Sequence, residues 1–119
     1  MSSEAFLRVV RGEDKGKGWE LDERQVYVVG RSRKSNVRLD DATASGTHAR
    51  IDCPDGVWFL EDLESTHGTR VNRQRILKRK PLFDRDIIQV GKTLLEFREY
   101  AELGEDVLDE IDRGVSLPD

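Results

Sequence analysis

Cysteine is all but missing from this sequence. Cys53 stands alone, which excludes an internal disulfide. Histidine is nearly as scarce, with only His48 and His67, so no run of soft ligands has metal-site spacing and no metal or other cofactor is expected. Long apolar runs are absent too. Nothing is long enough to cross a bilayer as a helix, and the opening MSSEAFLRVVRGED has neither the apolar core nor the small-residue cleavage site of a signal peptide. No direct membrane insertion is expected, and a reducing cytoplasmic setting is the default. Groupings suited to catalysis are lacking as well. The pairs Asp40-Asp41 and Asp84/Asp86 have no base, nucleophile or metal ligand beside them in the sequence. Ser45 and His48 stand three apart with no orienting carboxylate indicated. The expectation is a protein that is not an enzyme.

What is present fits one small domain. The chain has 119 residues, 36% of them hydrophobic and 37% charged, and the apolar residues come in short runs rich in Val, Ile, Leu, Phe, Tyr and Trp that can cover one face of a sheet. Charge is unevenly placed. Residues 1–100 hold 19 Lys and Arg against 17 Asp and Glu, whereas residues 101–119 hold Arg113 against seven acids. This divides the chain into a mildly basic domain, 1–100, and an acidic C-terminal tail or short helix, 101–119. The basic body suits an anionic peptide, and the tail suits solubility or shielding. Leu103, Val107, Leu108 and Ile111 fall at helical spacing in that tail. Met1 and the lack of a linker favour a free-standing small adaptor.

Along residues 1–100 the pattern is strand after strand, with turns every eight to twelve residues. Phe6–Arg11, Trp19–Leu21, Gln25–Gly30, Asn36–Leu39, His48–Asp52, Val57–Asp62, Ile87–Val90 and Thr93–Phe97 carry β-rich or alternating runs. Val71–Ile76 reads as two strand ends around a tight turn that opens at Asn72. Asp40–Thr47 and Leu63–Arg70 read as loops, CPDG at 53–56 as a hairpin turn, and Lys78–Asp84 as a connection through Pro81. The fold class is all-β: an antiparallel β-sandwich of about ten or eleven short strands. Trp19 and Trp58 are assigned to packing rather than to a binding platform.

Two loops mix hydroxyls with residues that fix a backbone. One region begins with Arg31 directly after Gly30 and continues through DDATASGTHARI; the other is DLESTHGTRVN, 62–72. Placed at the same end of a sandwich, they would set Arg31, Ser45, Thr66 and His67 side by side. A guanidinium fork, hydroxyls and backbone N–H groups together make a phosphate site, and no group is positioned to attack phosphorus.

Four separated anchors now stand in order: Gly30-Arg31, Ser45-Gly46-Thr47-His48, Ser65-Thr66-His67-Gly68-Thr69 and Val71-Asn72. In this the sequence resembles the forkhead-associated (FHA) domains, phosphothreonine-binding β-sandwiches of signalling proteins, over about residues 5–98. The resemblance implies that Arg31 grips the phosphate, that Ser45 binds it through hydroxyl and backbone N–H, and that Thr66 completes the pocket. His67, with the backbone around Gly46, would position the peptide. His48 would brace the two loops without touching ligand, and Gly30, Gly68 and Asn72 would shape the turns. Two positions depart from the family pattern. Gly46 stands where Arg or Asn is usual, and His67 stands where Asn is usual. A histidine cannot copy the paired donor and acceptor of an amide; Arg33, Lys34, Arg70 and Arg73 supply diffuse positive potential nearby.

The function so implied is a phosphopeptide-binding adaptor that recognises phosphothreonine on a partner protein, a Ser/Thr kinase or its substrate, in Ser/Thr kinase signalling. The alternative is a degenerate FHA-like scaffold making phosphorylation-independent contacts, for example in a secretion or signalling assembly, with Gly46 and His67 as its symptoms. The basic run Arg70, Arg73, Arg75, Lys78, Arg79 and Lys80 offers some support for nucleic acid; the acidic tail, the net charge of −4 and the lack of a nucleic-acid motif argue against it.

Overall fold

A computed structural model describes residues 4–100. The acidic stretch 101–119, with its helical spacing, lies outside the described residues.

Among the described residues eleven strands form two sheets. The strands are β1 (Glu4–Arg11), β2 (Gly18–Asp22), β3 (Tyr27–Gly30), β4 (Val37–Arg38), β5 (Ala49–Asp52), β6 (Phe59–Asp62), β7 (Thr69–Val71), β8 (Gln74–Arg75), β9 (Arg79–Pro81), β10 (Ile87–Val90) and β11 (Thr93–Glu99). The six-stranded sheet runs β2-β1-β11-β10-β7-β8 and the five-stranded sheet β4-β3-β5-β6-β9. Alternation in the sequence decides which side chains meet between them, because successive residues of a strand point to opposite faces. Leu7, Val9, Leu95 and Phe97 from the larger sheet, and Val29, Ala49, Ile51 and Leu60 from the smaller, are all buried. Trp58 enters this core and meets Phe97 edge to face, with ring centroids 6.1 Å apart. Trp19 is half-buried and packs against the core.

The all-β sandwich expected from the sequence is the fold observed. Three local readings change. Arg79–Pro81, expected as connection, is strand β9, paired antiparallel with β6. The segment RKP has no apolar alternation to announce it, and as the edge of its sheet it tolerates proline, which cannot donate to a ladder. Thr69 and Arg70, expected in a loop, open β7 and pair with Val90 and Gln89. The short β4 lies parallel to β3, Val29 opposite Val37, within an otherwise antiparallel arrangement.

The loops that matter follow from this topology. The β3–β4, β4–β5 and β6–β7 connections converge through hydrogen bonds between residues far apart in the chain. Asp41 ties the β4–β5 loop to the other sheet. Its carboxylate accepts from the Lys92 backbone N–H (2.8 Å) and the Thr93 hydroxyl (2.7 Å), and from the Thr43 N–H (2.9 Å) and hydroxyl (2.5 Å).

Candidate functional site

Gly30 ends β3 where the chain must pass another backbone. A Cβ at Gly30 would lie 2.1 Å from the Gly46 carbonyl oxygen, so no side chain fits. That carbonyl accepts from the Ser32 N–H (3.0 Å) and from the hydroxyl of buried Ser35 (2.9 Å). One residue on, the Arg31 N–H donates to the Ser45 carbonyl (3.0 Å) and Arg31 Nε donates to the Ala44 carbonyl (3.0 Å). The guanidinium is thereby anchored by one edge. Arg31 is exposed and has no ion pair among the described residues. Its two terminal nitrogens are free to meet an anion.

Ser45 joins the two loops. Its Oγ accepts the Thr66 backbone N–H (3.0 Å) and lies 3.5 Å from Thr66 Oγ1. Behind it His48 is completely buried. The Ser45 N–H donates to His48 Nδ1 (3.0 Å), and His48 Nε2 is 2.8 Å from the Gly68 carbonyl. A backbone N–H can only donate and a carbonyl can only accept. Both bonds are therefore made only by the neutral ring with its proton on Nε2. Gly68 takes a φ of +85°, with the Arg75 Nε 2.7 Å from where a Cβ would stand. The positive φ is what favours glycine here, since the exposed, flexible Arg75 side chain can move aside.

Asp62 organises the second loop and was not singled out by sequence reasoning. The Ser65 hydroxyl (2.6 Å) and the Thr69 hydroxyl (2.6 Å) both donate to its Oδ1, and the Ser65 N–H reaches Oδ2 (3.2 Å). Burial pushes the Asp62 carboxyl up, but the hydrogen bonds from Ser65 and Thr69 outweigh it and hold the group below the usual range. Ser65 Oγ in turn accepts the Gly68 N–H (2.9 Å). The available signal was the spacing Asp62-x-x-Ser65, which suits a side chain closing a turn on its own backbone.

The structure thus gathers Gly30, Arg31, Ser45, Gly46, His48, Thr66 and Gly68 into one connected cluster at one end of the sandwich. The His67 side chain is exposed and has no hydrogen bond among the described residues. It lines a shallow cleft of about 220 Å³ with Gly68, Arg70, Gln89 and Gly91. Asn72 lies apart from the cluster's hydrogen bonds. With φ values of +50° and +74°, Asn72 and Arg73 make the β7–β8 turn, and the Asn72 amide binds Asp86 Oδ1 (3.0 Å) and the Ile87 N–H (2.9 Å). Among the described residues no three His, Cys, Asp or Glu side chains are grouped to hold a metal ion, and no helix is long and apolar enough to cross a membrane.

A family model described as the FHA domain matches residues 27–91, more than half of the chain. The chain belongs to the FHA domain family. The match spans all the clustered residues, from Gly30 to Gly68. Among relatives, the FHA domain-containing protein FhaB of Mycobacterium tuberculosis is 33% identical over 93 residues, which cover 78% of this chain and 59% of FhaB. The oxoglutarate dehydrogenase inhibitor of Corynebacterium diphtheriae is 38% identical over 94 residues, covering 79% of this chain and 64% of that protein. The chain therefore aligns with about three fifths of the length of these curated relatives. A chain solved in a structural and functional study of phosphothreonine-dependent FHA domain interactions superimposes with a TM-score of 0.72 and 30% identity, covering 80% of this chain and 95% of that one.

Proposed function

We propose that this FHA domain is a phosphopeptide-binding adaptor that reads phosphothreonine on a partner protein in Ser/Thr kinase signalling. The carrying observation is the seam between Ser45 and Thr66. Two hydroxyls 3.5 Å apart on different loops share an exposed edge, in the same loop cluster as an arginine whose guanidinium is anchored only through Nε. That set suits a dianion. A phosphoryl group accepts bidentate donation from a guanidinium and short bonds from hydroxyls, and nothing among these residues would attack it. Arg31, Ser45 and Thr66 hold the phosphate in this reading. His67 and the backbone around Gly46 position the peptide, and the cleft bounded by His67 and Arg70 gives room for a flanking residue. The phosphothreonine dependence studied in the structurally similar FHA chain supports the same reading.

The test is an NMR titration of labelled protein with a degenerate phosphothreonine peptide pool and its unphosphorylated twin. Saturable shifts at Arg31, Ser45 and Thr66 with the phosphorylated pool alone, abolished in Arg31→Ala, are expected. A folded protein that shows no phosphorylation-dependent shift would overturn the reading in favour of a scaffold used without phosphate.

A further inference from the structure

Arg31 borders a second cleft. About 350 Å³ in volume, it is lined by Asp14, Lys17, Arg31, Arg38, Leu39 and Asp40, and it shares only Arg31 with the phosphate pocket described above. Arg38 repeats the arrangement of Arg31. Its Nε donates to a backbone carbonyl, that of Arg31 itself, at 3.3 Å. Like Arg31 it is exposed and has no carboxylate partner among the described residues. Two guanidinium groups are thus chained along one rim, each held by Nε with its terminal nitrogens uncommitted. Arginines that serve only as solvated surface charge have no need of such anchoring, which costs side-chain freedom. It does serve a fork kept ready for an oxyanion.

The acids of the cleft limit where an anion can sit. The Asp14 carboxylate accepts the Asp40 backbone N–H at 2.7 Å and lies 4.0 Å from Lys17 Nζ. It is already used in joining the β1–β2 turn to the β4–β5 loop. Asp40 is exposed and adds a negative charge at the rim. The Arg31–Arg38 edge is consequently where an anion is favoured, and the Asp40 side is where it is opposed.

We propose that Arg38 makes this edge a second anion subsite, so that the domain prefers phosphothreonine peptides carrying a further anionic group, carboxylate or phosphoryl, within a few residues of the phosphothreonine. The inference rests on the phosphate reading of Arg31 given above. A second phosphoryl group brings more charge than a carboxylate at neutral pH and offers more acceptor oxygens.

The test uses the full chain and three sets of phosphothreonine peptides. The flanking positions, three to either side, are neutral, or carry one Glu, or carry one phosphoserine. Binding is measured by titration calorimetry at two salt concentrations. At one flanking position or more, the second anion should tighten binding by about tenfold relative to the neutral peptide, as a charge-assisted bond can. The gain should vanish in Arg38→Ala, fall in Arg38→Lys and rise in Asp40→Asn, while Arg38→Ala binds the neutral-flank peptide as the parent does. Glu peptides that match the phosphoserine peptides would assign the subsite to carboxylates; a gain confined to phosphoserine would assign it to a second phosphorylation. If neutral-flank peptides bind but no second anion adds affinity, or the gain survives Arg38→Ala, the subsite is overturned and the phosphate pocket stands. If no phosphopeptide of any set binds, the phosphate reading fails and the subsite falls with it.

Discussion

His48 and Gly68 are joined by a buried hydrogen bond of 2.8 Å, the ring Nε2 donating to the carbonyl across 20 residues of sequence. The same ring accepts the Ser45 N–H on its other side. One neutral imidazole therefore sets the distance between the loop that carries Ser45 and the loop that carries Thr66. Replacing it removes two hydrogen bonds and leaves space in a fully buried site. His48→Ala should cost about 3 kcal/mol of stability, the unsatisfied partners and the cavity acting together. Urea denaturation measures this directly. Phosphopeptide affinity should fall as well under conditions where the variant is still folded; unchanged affinity would mean that the loops hold their spacing without the ring.

Gly30 and Gly46 are neighbours in space with opposite tolerances. A Cβ at Gly30 runs into the Gly46 carbonyl at 2.1 Å, whereas a Cβ at Gly46 meets only Ser32 Cβ at 3.6 Å. Gly30→Ala should destabilise by about 3 kcal/mol or leave the chain unfolded, since backbone must move to admit it. Gly46→Asn should change stability by no more than about 0.5 kcal/mol. It restores one of the residue types usual at that place in the family and should strengthen phosphopeptide binding several-fold by adding a side-chain donor. Thermal melts of the two variants side by side, followed by peptide titration of Gly46→Asn, decide both points.

Asp41 makes stability depend on acid pH. Burial raises the pKa of its carboxyl, but hydrogen bonds from Thr43, Thr93 and Lys92 outweigh that and hold it at about 2. The folded pKa is below the unfolded one. Its stabilisation is therefore fully present above about pH 4 and is lost as pH falls through the folded value. The shift corresponds to something on the order of 2 kcal/mol at neutral pH. Asp41→Asn should lose about that much at pH 7, and the gap between parent and variant should close between about pH 4 and pH 2. Denaturant midpoints over that range test the prediction, and a gap that stays constant with pH would refute it.

Asp62 should behave as a positioning residue. Asp62→Asn keeps one carbonyl acceptor but removes the charge that draws in the Ser65 and Thr69 hydroxyls. A loss of about 1–2 kcal/mol is expected. Amide hydrogen exchange should quicken at Gly68, whose N–H is held by Ser65, and phosphopeptide affinity should drop. Exchange that speeds up equally throughout the domain would instead point to a purely global effect.

Much of the architecture was legible in the sequence because alternation is a local property. A strand such as FLRVVR or HARID declares its buried face by itself, and that suffices for an all-β sandwich. The same holds for the anchors of the site: Gly30-Arg31, Ser45 with His48, and Thr66 to Gly68 stand in a recognisable order along the chain. Their union was not written locally. That Thr66 N–H meets Ser45 Oγ, and that Asp41 reaches Lys92 across 51 residues, depends on which strands become neighbours. So does β9, whose RKP segment carries no periodicity and is a strand only because β6 offers it a free edge. The placement of Arg38 on the same rim as Arg31 follows from the parallel pairing of β3 with β4. Strand faces and loop chemistry follow from the local order of residues along the chain. The tertiary structure alone decided which loops share an end, because that is set by sheet order and long-range pairing, which no local period encodes.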